Sequence, residues 1–308
     1  PADYKLLYLV NTNYLNQICN TNKTVAAFKT LDFMIVQEQF MTPTARFADI
    51  VLPVCTYLER NDFTQGGATP FYGYVNKAIE PLGESRSHLE IGIGLAERLG
   101  LTDFNDKTED QWLRGIVAGY QEITDIPDYD TIKKQGIHKV KLAEPYVAFQ
   151  KQIEDPVHNP FPTPSGKIEI YSQQLADMNN PEIPPIPKYI ETWESRHDSL
   201  AEKYPLQLVT THLKRRAHTQ FDNLPWLQEL QSQAMLINSA DAQARGISDG
   251  DMVKVFNDRG EMIIPARVTE RIMPGVVDIP QGAPYNPDEG GIDRGGCANV
   301  LTRDELSP

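Results

Sequence analysis

The sequence predicts an α/β domain built on a parallel, doubly wound sheet, followed after a proline-rich linker by a compact β-barrel. Three observations carry this. Residues 6–99 alternate short apolar runs with helical periodicity, the pattern of a sheet layered by helices. Prolines then crowd positions 156, 160, 162, 164, 181, 184, 185 and 187, which disfavours helix interiors and central strands alike. Beyond Pro205 short apolar runs are separated by glycine turns, as in a small barrel.

Taken in order, residues 6–10 are apolar throughout and read as the first strand. Residues 24–31 form a short helical segment, and residues 33–36 a second strand that ends in Gln37-Glu38. Residues 50–52 give a third strand, stopped by Pro53 and followed by the charged cluster Glu59-Arg60-Asn61-Asp62. Over 88–99, Leu89, Ile93, Ala96 and Leu99 fall at helical spacing, with Gly100 as the stop. The first domain is assigned to residues 1–150 and the linker to 151–204, within which residues 163–171 look like a turn feeding a short strand. In 205–308, strands are expected at 206–211, 235–238, 252–256, 262–268 and 276–279, and residues 241–245 form one helical turn closed by Gly246.

A chain of 308 residues can bury two cores. Its 40% hydrophobic and 23% charged residues are ordinary for a globular protein. The net charge of −13 argues against a nucleic-acid or anionic-membrane surface, so an anionic ligand needs a local basic patch. No run approaches the ~20 apolar residues of a transmembrane helix. Cys19, Cys55 and Cys297 are too far apart for metal-ligand spacing and read as buried free thiols. The chain opens at Pro1 and moves almost at once into an apolar strand, which reads as a piece of a larger polypeptide.

Polar residues gather just past the apolar strands: Asn13 and Gln17 after the first, Gln37 and Glu38 after the second, Arg60 after the third. Open α/β sheets bind ligands at those strand ends. Amides and a carboxylate can read a purine edge or ribose hydroxyls, and arginine suits a phosphate. Turn chemistry would leave the same pattern, so both readings stand. There is no glycine-rich phosphate loop, so NAD and ATP lack support. The densest basic run is Thr210-Thr211-His212-Leu213-Lys214-Arg215-Arg216-Ala217-His218-Thr219, which can hold a polyanion or can be a solvated loop. Zinc on His212 and His218 lacks a further ligand at suitable spacing. Asn299 lies just after Gly295-Gly296, where backbone can approach a ligand closely. No nucleophile constellation stands out, so no catalytic residue is assigned.

Residues 13–17, residues 42–53 with 59–62, residues 210–219 and residues 237–279 resemble the molybdopterin oxidoreductases, the dimethyl sulfoxide reductase family. With Asp293-Arg294-Gly295-Gly296-Cys297-Ala298-Asn299 added, the likeness is greatest to the dimethyl sulfoxide and trimethylamine N-oxide reductases. The resemblance implies a Rossmann-like α/β domain followed by a double-psi β-barrel domain, the latter incomplete at its C-terminus. It implies molybdenum (or tungsten) held by two molybdopterin guanine dinucleotides, with any 4Fe-4S cluster upstream of these residues. By motif, Asn13, Gln17, Gln37, Glu38 and Arg60 are expected to hold the guanosine and diphosphate of one dinucleotide. His88 stands where relatives often carry an aspartate that pairs with guanine. Thr210, Thr211, His212, Lys214, Arg215, Arg216, His218 and Thr219, with Asn299, are expected to contact the pterins.

The parent enzyme implied by this resemblance takes an oxygen atom from an S-oxide or N-oxide in anaerobic respiration. The family's molybdenum ligand lies outside these residues, so alone they are expected to be inert. Expected partners are the remaining polypeptide, an iron–sulfur electron-transfer subunit, a membrane-anchor subunit and the oxide substrate, with no nucleic acid. The expected setting is a membrane-associated complex of a prokaryote, either exported or cytoplasmic. A formate dehydrogenase, a nitrate reductase or a sulfur-compound reductase is the nearest alternative. A non-catalytic subunit, like the large peripheral subunit of respiratory complex I, is the rival from another class; the polar run 210–219 speaks against it.

Overall fold

The computed structural model describes residues 3–67, 69–142 and 144–305. The chain divides into two compact units, one of Pro1–Val36, Phe40–Val51 and Ile170–Pro308, the other of Gln37–Gln39 and Leu52–Glu169. Strands β1 (Leu6–Val10), β2 (Phe33–Glu38) and β3 (Ile50–Pro53) form a sheet in the order β1-β2-β3. In β1, Leu7 and Leu9 pack toward Met34, Val36 and Ala45, while Leu6, Tyr8 and Val10 are exposed, the two-residue period of a strand. Between β1 and β2 lie the single turn Tyr14–Gln17 and the helix Thr21–Phe28, the latter starting before the apolar periodicity does. Asn20 sets that start, because its side chain accepts the Lys23 N–H as an N-cap.

Strands β4 (Asp62–Gln65), β5 (Phe71–Val75) and β6 (Ile137–Lys139) form an antiparallel sheet with β5 in the middle. Helices Glu109–Gln121 and Tyr129–Gln135 bury Leu113, Val117, Tyr129 and Ile132 against Tyr72 and Tyr74. Sequence periodicity foresaw neither this sheet nor these helices. The strand expected within 163–171 does not form: the segment is a turn at Gly166, with φ of +68°. There the Thr163 hydroxyl donates to the Lys167 carbonyl at 2.6 Å and the Ser165 N–H to Glu169 at 2.9 Å. Those local bonds take backbone groups that a strand ladder would need.

Strands β7 (Gln207–Val209), β8 (Met235–Ile237), β9 (Met252–Phe256), β10 (Glu261–Val268) and β11 (Val276–Asp278) pair in the order β7-β11-β8-β10-β9. Pairs β7/β11 and β8/β10 are parallel; β11/β8 and β10/β9 are antiparallel. Alternate residues of β10, Met262, Ile264 and Ala266, face the core with Met235, Ile237, Val277 and Leu15. Because β7 and β11 run the same way with Val209 opposite Asp278, their carboxyl ends deliver Thr211 and Pro280 to one edge.

Candidate functional site

The basic run begins where β7 ends. The Thr211 N–H and hydroxyl both donate to the Asp278 carboxylate, at 3.0 and 2.7 Å. Beside them lies a cavity of about 230 Å³ whose lining includes Thr211, His212, Lys214, Arg267 and Asp278. Thr210, Thr211, His212, Lys214, Arg215 and His218 are exposed and Thr219 half-buried. Among the described residues, the side chains of Lys214, Arg215 and Arg267 make no hydrogen bond or ion pair. The rings of His212 and His218 meet edge to face, 5.2 Å apart. His218 and Phe221 adopt left-handed backbone, φ 53° and 72°, at a cost of about 1–3 kcal/mol each that persists only where the surroundings enforce it. Gly282 makes room for this loop: a Cβ there would lie 1.8 Å from the His218 carbonyl oxygen.

Arg216 corrects the expectation that the whole run faces a ligand. Its side chain is 2% exposed, and its guanidinium pairs with Asp222 at 2.5 Å. It also donates to the Gln281 carbonyl at 2.7 Å and to Gln233 at 2.9 Å. A buried cation needs such partners, and Arg216 braces the loop from inside. Asn13 turns inward too: its carbonyl accepts the Thr44 hydroxyl at 2.9 Å and its amide donates to Asn16 at 3.2 Å. Gln17 is exposed and accepts the Thr12 hydroxyl. Asn299 is half-buried; its amide donates to the Asn16 carbonyl at 2.9 Å and its oxygen accepts the Thr302 hydroxyl at 3.2 Å. Asn13, Asn16 and Asn299 therefore belong to one polar network. The loop bearing Asn299 is tied down by Asp293, fully buried, which accepts backbone N–H bonds from Asn286, Gly295, Gly296 and Cys297. Cys55 and Cys297 are buried free thiols, and Cys19 is half-buried. Burial pushes the Cys297 thiol up to about 12. Among the described residues no group of three or more His, Cys, Asp or Glu is placed to hold a metal.

In the second unit, Gln37, Arg60 and His88 come together. His88 opens the helix His88–Arg98, whose start is fixed by a reciprocal box: Ser87 accepts the Glu90 N–H and Glu90 accepts the Ser87 N–H. His88 Nδ1 lies 2.5 Å from the side-chain oxygen Oε1 of the buried Gln37. Burial first, and the charge of Arg60 second, hold its pKa below 6.5, so the imidazole is neutral at neutral pH. The Nδ1–H then donates to Gln37, and Nε2 carries the ring's lone pair. Arg60 pairs with Asp62 at 2.5 Å. Its Nε, though buried, has no hydrogen-bond partner among the described residues. Glu38 accepts the Gln39 N–H locally. Glu59 is structural: N–H bonds from Thr56 and Leu82 hold its carboxyl down to about 2.

Residues 206–308 match the family described as molydopterin dinucleotide binding domain, and residues 1–98 that described as molybdopterin oxidoreductase. The chain belongs to the molybdopterin oxidoreductase family. Its cofactor is accordingly molybdenum with molybdopterin guanine dinucleotide. The chain is 41% identical over 310 residues to the dimethyl sulfoxide reductase DmsA of Escherichia coli K12, covering 96% of this chain and 38% of that one. It is 37% identical to a dimethyl sulfoxide/trimethylamine N-oxide reductase of Cereibacter sphaeroides, covering 98% and 39%. Its fold is that of acetylene hydratase from Pelobacter acetylenicus, with a TM-score of 0.76 at 22% identity over 98% of this chain and 41% of that one. The chain thus spans about two fifths of the length of these relatives.

Sequence reasoning did not single out Asp278, Asp293 or Arg267. Asp278 carried a readable signal, since a carboxylate inside the apolar stretch Val276-Val277-Asp278-Ile279 must be buried with a partner. Arg267 gave none, because only the pairing of β10 with β8 brings it to the cavity; Asp293 opens a motif of the resemblance, but its part in holding the loop shows only in the folded chain.

Proposed function

We propose that this chain is the cofactor-holding part of the catalytic subunit of a dimethyl sulfoxide-type reductase. In this reading residues 1–150 form the Rossmann-like domain, 151–204 the linker, and 205–308 a double-psi barrel. One observation carries it: among the described residues Lys214, Arg215 and Arg267 have no hydrogen-bond or ion-pair partner, Lys214 and Arg267 lining a cavity and Arg215 next in sequence, in a chain of net charge −13. Cations left unpaired in an acidic protein suit a bound polyanion. The unit containing Arg60 adds support. Its buried Nε, unpartnered among the described residues, suits a phosphate oxygen, and the neutral imidazole of His88 stands in the same cluster, where the resemblance puts a guanine-pairing residue.

When bound, molybdenum and its dithiolenes supply oxygen-atom transfer and two-electron redox chemistry. The residues here bind, orient and neutralise. Thr210, Thr211, His212, Lys214, Arg215, His218 and Thr219 face the pterins, while Gln17, Gln37, Glu38, Arg60 and His88 serve a guanosine diphosphate end. Arg216, Asn13, Asn16 and Asn299 keep those surfaces in place. The parent enzyme reduces S-oxides or N-oxides with an iron–sulfur subunit and a membrane anchor as partners, in a membrane-associated prokaryotic complex. These residues alone hold cofactor weakly and are inactive.

The test is the molybdenum and pterin content of the native, full-length polypeptide, by elemental mass spectrometry and fluorescence of the oxidised pterin. One molybdenum and two dinucleotides per chain are expected. Neither metal nor pterin, in protein from a host that assembles the cofactor, would overturn the reading in favour of a non-catalytic subunit.

A further inference from the structure

Asp278 is 7% exposed, yet it lines the cavity together with Thr211, His212, Lys214 and Arg267. A carboxylate is out of place in a wall otherwise suited to anions. Its two oxygens are divided between two donors: Oδ1 accepts the Thr211 N–H at 3.0 Å, and Oδ2 accepts the Thr211 hydroxyl at 2.7 Å. A carboxylate accepts and does not donate, so the hydroxyl proton of Thr211 is committed to Asp278. A threonine hydroxyl free to rotate can meet donors and acceptors alike. This one can meet a ligand only through its lone pairs.

We infer that Asp278 is a positioning residue that presents Thr211 Oγ1 to the pterin as a hydrogen-bond acceptor, selecting an N–H or amino edge of the ring system. The inference rests on the cofactor reading above. A reduced pterin carries donor and acceptor groups on different edges, so a wall of fixed polarity decides which edge turns toward β7. Lys214 and Arg267, donors only, mark the part of the same cavity that suits acceptor atoms. Replacing Asp278 by asparagine would reverse the polarity at Thr211. The amide oxygen can still take the Thr211 N–H, but the amide nitrogen would donate to Oγ1 and release the hydroxyl proton toward the ligand.

The test uses the full-length polypeptide made in a host that assembles the cofactor, following pterin release by fluorescence of the oxidised pterin. Asp278→Asn and Thr211→Val are each expected to release pterin roughly ten-fold faster, the size of one hydrogen bond. Thr211→Ser should hold pterin as the wild type does. The double variant Asp278→Asn/Thr211→Val should be no faster than either single one, because both remove the same interaction. A role for Asp278 in merely propping the backbone would survive in the Thr211→Val background, so rates that multiply would overturn the inference. So would a Thr211→Val protein that holds pterin as well as wild type, and that comparison decides the matter if Asp278→Asn does not fold. Wild-type protein without pterin would overturn the cofactor reading and this inference with it; pterin-loaded wild type with unmoved variants would overturn the inference alone.

Discussion

Asp293 has no exposed surface, and four backbone N–H groups are aimed at it. Oδ1 takes those of Asn286 and Gly295, and Oδ2 those of Gly296 and Cys297, at 2.9 and 2.7 Å. Asparagine would fill the same volume but set an NH₂ against two of these donors. Asp293→Asn should therefore destabilise the protein by about 2–4 kcal/mol in urea unfolding, and a loss under about 1 kcal/mol would contradict this account of the loop. His88 invites a different measurement. Gln37, Arg60 and Asp62 surround it, and burial with the charge of Arg60 outweighs Asp62 to depress its pKa. A histidine so depressed takes up its proton more readily when unfolded, so its contribution to stability is lost as pH falls from 6.5 through the folded value. The same protonation turns Nε2 from acceptor to donor. Dinucleotide release should accelerate on that acid limb, and His88→Asp should remove the step. A release profile identical in wild type and His88→Asp would remove His88 from guanine recognition.

At the scale of elements, the loop after β7 is held in a conformation its residues do not favour. His218 and Phe221 are left-handed without being glycine, and Ala217 and Gln220 close the turn between them. What enforces the shape is the loop at 281–283, where Gly282, with φ of +89°, lets the chain approach the His218 carbonyl. Gly282→Ala puts a methyl group 1.8 Å from that oxygen and adds strain at positive φ. It should lower the unfolding temperature and release pterin faster, while Gly250→Ala, also at positive φ but with open space around its Cβ, should lower the temperature alone. Equal pterin release from both variants would mean that the loop contact has no part in binding. The strands of this region were legible because β9 and β10 are bounded by glycine turns and alternate cleanly. The helix Glu109–Gln121 was overlooked although Thr108 and Gln111 form a readable capping box at its start. The sheet of β4, β5 and β6 could not be read locally, since 61 residues separate Val75, the end of β5, from Ile137, the start of β6. The inward turn of Arg216 was equally hidden, because Asp222, Gln233 and the Gln281 carbonyl meet it only in the folded chain.

For the molecule as a whole, the question is how a chain of net charge −13 keeps a polyanionic dinucleotide. At long range the field opposes binding; at short range Lys214, Arg215 and Arg267 favour it. Salt screens both, but unequally. The Debye length is about 10 Å at 0.1 M, so moderate salt removes the long-range repulsion, and higher salt then weakens exposed contact pairs as well. Release of the dinucleotide should therefore slow slightly on raising salt from very low ionic strength and quicken steeply above about 0.1 M. Replacing Lys214 and Arg215 together by glutamine should flatten the steep limb while leaving the shallow one, because it removes the local cations and barely alters the distant field. The measurement is the pterin release rate of the full-length protein across a salt series. A double variant with the wild-type salt profile would show that these cations are solvated surface, and the charge argument for the cofactor site would fall with them.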